Sequence, residues 1–131
     1  MPLLNFYQRQ PIPVYSGSQS YDAEKSLLER QDLNGLRFCG LPWIIQPEQW
    51  PANQTLRDNF TPASSSFDRL AAFGADAWMI SQQLTAPKKR SMAGRTGTLA
   101  LIDGQVLRTP VCAEIINGKA QAYTATTGPT R

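Results

Sequence analysis

Apolar positions change their spacing twice along this chain. Short β-rich runs occupy the first third, a stripe at helical spacing fills the middle, and alternation around two glycine turns closes it. Residues 3 to 9 (LLNFYQR) read as the last turns of a helix that begins upstream, stopped by Pro11. Ile12 to Ser16 (IPVYS) predicts a short strand, broken by Gly17 and Ser18. Ser20, Tyr21 and Asp22 precede a short helix over Ala23 to Arg30, because Ser and Asp side chains accept from the free amides of a first turn. Asn34-Gly35 ends that stretch and Leu36 to Gly40 forms the next strand. Pro51 starts a further helix through Phe60, since its missing N–H is not needed at the first helical position.

The segment DLNGLRFCGLPWII (32 to 45) combines Gly40, Pro42 and Trp43 in one apolar run. Proline removes a ladder hydrogen bond and glycine has no side chain to pack. Two readings suit it: a strand that leaves one lobe and crosses to another, or an edge strand with a packed tryptophan. The helix over Phe67 to Leu84 is the clearest element. Ser65 stands three residues before Asp68 as in a capping box. Phe67, Leu70, Ala71, Gly74, Ala77, Trp78 and Leu84 form the apolar stripe, widened by Phe73 and Ile80, with Asp68, Arg69, Asp76 and Gln83 on the wet side. Gly74 implies close packing on a neighbour, and Trp78 is expected in the core.

From Gly94 the sequence reads as strands turning at Asp103-Gly104 and Asn117-Gly118, the dipeptides of two-residue hairpins. The tail after Tyr123 has nothing to bury.

Composition adds bounds. At 131 residues with 41% hydrophobic content the chain can bury a core without metal or disulfide help. No run is long enough to span a bilayer, and the first residues lack the pattern of a signal peptide. The charge of +3 is mild, and its dense patch, Lys88-Lys89-Arg90, reads as a solvated loop rather than a nucleic-acid site. No histidine, GxSxG, P-loop or GxGxxG is present, and the carboxylates are scattered, which argues against acid–base catalysis. GRTGT (94 to 98) precedes a strand, not a helix, and reads as a plain turn rather than a phosphate cradle. Cys39 and Cys112 lie in different predicted strands and are expected to be buried, unpaired thiols.

Taken in order, IPVYSGSQSYD, DLNGLRFCGLPWII, RLAAFGADAWMI and GRTGTLALIDGQVLR resemble the C-terminal part of the LppC/LpoA family, the penicillin-binding-protein activator lipoproteins. The family pattern is a PVYATS strand and loop, a DLNG turn before FxDxPW, a helix with LxALGxDAW, and a GxTGxL…GxxxR hairpin. Nearly all of residues 3 to 122 is covered. Cys39 stands where Asp is common, and Cys112 falls near a position usually held by Trp.

The resemblance implies an α/β, type I periplasmic-binding-protein-like fold with two Rossmann-like lobes. Residues 1–123 would be the C-terminal part of an incomplete domain of that kind, ending in a β-meander, and 124–131 a flexible tail. Gly40 and Pro42 would lie where the strand leaves a lobe, with Trp43 plugging the junction. It implies regulation rather than catalysis, without metal or cofactor: an outer-membrane protein, held by an N-terminal lipid missing from this chain, that contacts a class A penicillin-binding protein (a peptidoglycan synthase) across the periplasm. The alternative is a module that senses a small ligand, an amino acid or cell-wall fragment. Open α/β sheets hold ligands at strand ends, which makes Ser16, Ser18 and Tyr21, with Trp43, the cleft candidates. A helix apolar over more than half its circumference needs neighbours on two sides, so the chain alone is expected to self-associate.

Overall fold

The computed structural model describes residues 12–50, 65–84 and 90–123. The expected helices at 3–9 and 51–60, the lysines at 88 and 89 and the tail 124–131 lie outside them.

Two sheets carry the chain. The first has four strands in the order β1 (Val14–Ser16), β2 (Leu36–Gly40), β6 (Val111–Ile116) and β7 (Lys119–Tyr123). β1 and β2 run parallel and the other neighbours antiparallel. The second is antiparallel, in the order β3 (Arg90–Ala93), β4 (Thr98–Ile102) and β5 (Gln105–Thr109). The expected closing meander therefore divides at Pro110: β5 stays in the second sheet while β6 begins in the first. β3 itself was not foreseen, because it begins within the basic patch, at Arg90, and shows no clear alternation.

Between β1 and β2 lies a short helix, α1 (Leu27–Gln31). It starts later than Ala23 because Ser26, not Asp22, caps it. The Ser26 hydroxyl accepts from the Glu29 N–H, and the Glu29 carboxylate accepts from the Ser26 N–H, a reciprocal capping box. Hydrogen bonds from the Ser26 side chain and backbone hold the Glu29 carboxyl below its ordinary pKa. This contribution is present above the usual carboxylate range and is lost as pH falls through the lowered value. Asp22 instead accepts from the Glu24 N–H in a turn of its own.

The two Asx-Gly hairpins form as expected. Asp103 and Asn117 have φ of 49° and 52°, and each is followed by a glycine at positive φ. The Asn34-Gly35 turn also has a partner far along the chain. The Asn34 side chain accepts from the Gly118 N–H at 3.0 Å, and the Gly35 N–H donates to the Ile115 carbonyl at 2.8 Å. Gly118 has φ of +73°, which favours glycine there, and α1 approaches it closely through Leu27.

Strand parity organises the first sheet. Leu36 and Phe38 point inward and meet Ala113 and Ile115 of β6, with Tyr21, Ile45, Val14 and Val111 completing the core. Arg37 and Cys39 therefore share the outer face. Arg37 pairs with Glu114 at 2.9 Å. Cys39 sits directly opposite Cys112, with their Cα atoms 3.9 Å apart, and the two form a disulfide. This overturns the expectation of buried free thiols: Cys39 is exposed, and the register supplies its partner. β2 lies between β1 and β6, so the edge-strand reading fails as well.

The apolar run does not continue as a strand past Gly40. Pro42 is the first residue of a short helix, α2 (Pro42–Ile45), so its missing N–H interrupts no ladder. The long helix α3 spans Ser65–Ser81. Its orientation reverses expectation: Ala72 and Asp76 are buried, while Phe67, Leu70, Phe73 and Trp78, with Leu84 just beyond, are exposed. Trp78 follows Asp76 by two positions, so the two cannot share a face. A Cβ at Gly74 would meet nothing within 4 Å, so the close neighbour expected there is absent from the described residues.

Two outcomes follow. Gly74→Ala should stabilise the chain by up to about 1 kcal/mol, the helix-propensity difference, in a denaturant melt; a loss of stability would mean the position is packed. The Cys39–Cys112 bond closes a loop across a sequence separation of 73. Reduction, or Cys112→Ser, should therefore lower the unfolding free energy by roughly 2–4 kcal/mol, read from melts with and without reductant.

Candidate functional site: a tryptophan–arginine stack on a carboxylate-held turn

The turn between β3 and β4 is built from the GRTG motif. Gly94 and Gly97 bond to each other in both directions, leaving Arg95 and Thr96 at the tip. Both glycines are required by space. A Cβ on Gly94 would meet Leu99 Cδ1 at 2.6 Å and the Gly97 carbonyl oxygen at 2.8 Å. Gly97 has φ of +149° and lies against the Thr109 carbonyl of β5.

Asp76 of α3 holds this tip. One carboxylate oxygen accepts from the Arg95 N–H at 2.8 Å, and the other accepts from both the N–H and the hydroxyl of Thr96 at 2.7 Å. Both Asp76 and Thr96 are buried. A buried carboxylate is tolerable when its oxygens are filled by donors, as here. The wet-side placement of Asp76 is thereby corrected. Helical spacing alone made it look exposed, because nothing local in the sequence shows that the GRTG amides lie above it.

The held tip presents Arg95 to two indoles. The guanidinium carbon lies 5.3 Å from the Trp43 ring centre and 5.2 Å from that of Trp50. Each contact is a cation–π interaction, worth roughly 0.5–2 kcal/mol depending on desolvation. The Trp43 N–H of the backbone also donates to the Arg95 carbonyl at 3.1 Å. Trp43 is only 2% exposed, while Arg95 and Trp50 are half-buried. Trp43 therefore stands between the first sheet, where α2 packs on β6 and β7, and the tip of the second sheet.

The other sequence candidates lie elsewhere. Ser16 and Ser20 share a hydrogen bond between their hydroxyls at the end of β1. The Ser18 carbonyl accepts from Arg69 of α3 at 2.7 Å. Tyr21 is buried and stacks on Phe38 with ring centres 5.4 Å apart. Of the four, only Trp43 joins the stack. Arg95, Trp50 and Asp76 were missed; GRTG and DAW are blocks of the family-like pattern and carried a signal for Arg95 and Asp76, whereas Trp50 lies in no such block.

Asp76→Ala would strand two backbone N–H groups and a hydroxyl at the turn. The expected loss is about 3 kcal/mol, on the scale of breaking a buried charge-assisted network. Thermal or chemical melts check it, and the Trp43 and Trp50 fluorescence should shift along with the loss.

Comparison with known proteins follows the same blocks. The model of the family described as "LppC putative lipoprotein" matches residues 1–110. No curated protein matches the chain. Among solved structures, full-length LpoA from Haemophilus influenzae is similar with a TM-score of 0.70 and 22% identity, over 92% of this chain and 23% of that one. The C-domain of that organism's LpoA, described as a regulator of PBP1A, gives 0.67 and 23% over 86% of this chain and 36% of its own. A protein from Chromobacterium violaceum described as a "putative branched-chain amino acid ABC transporter" gives 0.59 and 29%, over 78% and 34%. The chain thus spans about a quarter of full-length LpoA and about a third of its C-domain. These likenesses agree with the periplasmic-binding-protein-like α/β fold expected from the sequence, and the chain belongs to the LppC lipoprotein family.

Proposed function

We propose that this chain is part of a non-catalytic regulator of peptidoglycan synthesis, one that activates a class A penicillin-binding protein from the outer membrane. The observation that carries the reading is the family match over residues 1–110, joined to the fold of a C-domain described as a regulator of PBP1A. A second observation supports its compartment. The Cys39–Cys112 disulfide has an exposed member, and such bonds persist in oxidising surroundings such as the periplasm. No described helix is long and apolar enough to cross a membrane; attachment in this reading is by a lipid, supported by the match to a lipoprotein family.

The outer face of α3 is the surface best suited to contact. Trp78 is 71% exposed and Leu70 66%, with Phe67, Phe73 and Leu84 alongside. Contiguous apolar surface of this kind marks interaction sites on soluble proteins.

Two measurements test the reading. Titrating the whole lipoprotein into a purified class A synthase of the same source should raise its rate of glycan polymerisation or cross-linking saturably; an unchanged rate overturns the proposal. The 131-residue chain alone should sediment with a concentration-dependent mass, and Phe73→Ser with Trp78→Ser should shift it toward monomer. A concentration-independent monomer before substitution removes the α3 face from consideration.

A further inference from the structure

The Trp43–Arg95–Trp50 stack holds more donors than it uses. The indole N–H groups of Trp43 and Trp50 and the Arg95 Nε–H are all buried, and none has an acceptor among the described residues. The cation–π contacts do not relieve this, since they engage the faces of the rings and leave the N–H edges unmatched. Each buried donor without an acceptor costs about 1–3 kcal/mol. Among the described residues the Arg30 Nε–H is also without an acceptor, but it stands by itself, whereas here two indole N–H groups and the guanidinium Nε–H share one cluster.

No described carboxylate answers them. Asp76 lies against the same turn, but its oxygens are taken by the Arg95 and Thr96 amides and the Thr96 hydroxyl. Glu48, in the turn that leads to Trp50, is exposed, and no ion pair joins a described carboxylate to Arg95. The cluster is all donor, carries a positive charge that two indoles hold in place, and is anchored from behind by a turn whose carboxylate already has its donors. Its complement is an acceptor-only anion. A planar carboxylate matches a guanidinium fork better than any neutral group.

We infer that Trp43, Trp50 and Arg95 form a binding site for a carboxylate group, of the kind carried by an amino acid or a peptide C terminus. Arg95, half-buried, supplies the charge and the route of approach. Trp50, half-buried at the end of its turn, is the wall that shifts to expose the inner donors, while Trp43 is the fixed wall. The site differs from the strand-end hydroxyls of Ser16 and Ser18, which belong to β1 and the turn after it.

The test uses the whole chain and N-acetylglycine as the probe, with N-acetylglycinamide as its neutral isostere and inorganic phosphate as the competing anion. Calorimetric titration should show saturable binding of N-acetylglycine with a parallel change in tryptophan emission, and no binding of the amide. Arg95→Gln should weaken binding tenfold or more, the scale of one charge-assisted hydrogen bond. Trp50→Phe, which keeps a ring face but removes the N–H, should weaken it severalfold while the circular dichroism spectrum stays that of the folded parent. Equal binding of the amide, retained affinity in Arg95→Gln, or no binding of N-acetylglycine by the parent overturns the inference. Tighter binding of phosphate overturns the carboxylate assignment. The readout involves no synthase, so its failure leaves the regulatory reading standing, and the converse holds.

Discussion

The pairing of β2 with β6 is the constraint on which the rest of the structure depends. It joins segments more than 70 positions apart, and a one-residue slip would turn every side chain of β2 to the other face. In the register observed, Leu36 and Phe38 reach Ala113 and Ile115, Arg37 reaches Glu114, and Cys39 reaches Cys112. One face thus makes the core while the other carries an ion pair and a covalent bond. The Asn34-Gly35 turn locks the same pairing from its end, by holding Gly118 and Ile115. The ion pair is open to solvent, which screens it, and contributes little alone. Register is thus specified mainly by burial and by the disulfide.

Asp76 does for the second sheet what this register does for the first. A single carboxylate from α3 satisfies both amides at the tip of the β3–β4 hairpin, which fixes where the tip points. Arg95 is then delivered to Trp43, whose own position follows from β2 ending at Gly40 and α2 beginning at Pro42. The stack is consequently the place where both sheets and the long helix constrain one another. This also answers why an apolar run carries glycine and proline beside a tryptophan. The strand stops so that the indole can be turned out of the sheet and into the junction.

Local chemistry was legible in the sequence and long-range geometry was not. Leu36–Gly40, both Asx-Gly hairpins and the span of α3 follow from turn residues and periodicity, which act within a few positions. The start of α1 was misplaced because Ser20, Asp22 and Ser26 are all capping candidates, and of these only Ser26 has a Glu three positions on to complete the box. The disulfide was missed because cysteine spacing carries no register. Yet both cysteines had already been marked as departures from the family pattern, and the two departures face each other across one rung. Substitutions at paired positions that depart together are a signal of contact that single positions do not give. Trp50 lies outside the family-like blocks and is an ordinary residue until the distant GRTG turn sets Arg95 against it.

The inverted helix α3 shows how far periodicity can mislead. Its stripe was read correctly as apolar, but apolar was equated with inward. Inside the described residues the helix instead seats Ala72 and Asp76, a small side chain and a carboxylate with fixed donors to serve. A hydrogen-bonded network of this kind sets the rotation of a helix more sharply than non-directional burial does, because N–H···O geometry tolerates only a narrow range of angles. Once Asp76 is fixed, Phe73 and Trp78 have no choice but to face away. Gly74 then lies in open space among them, at a propensity cost of about 1 kcal/mol that no contact within the described residues offsets. A face that combines exposed aromatics with an uncompensated glycine is shaped for a close neighbour, and the directional anchor behind it keeps that face presented.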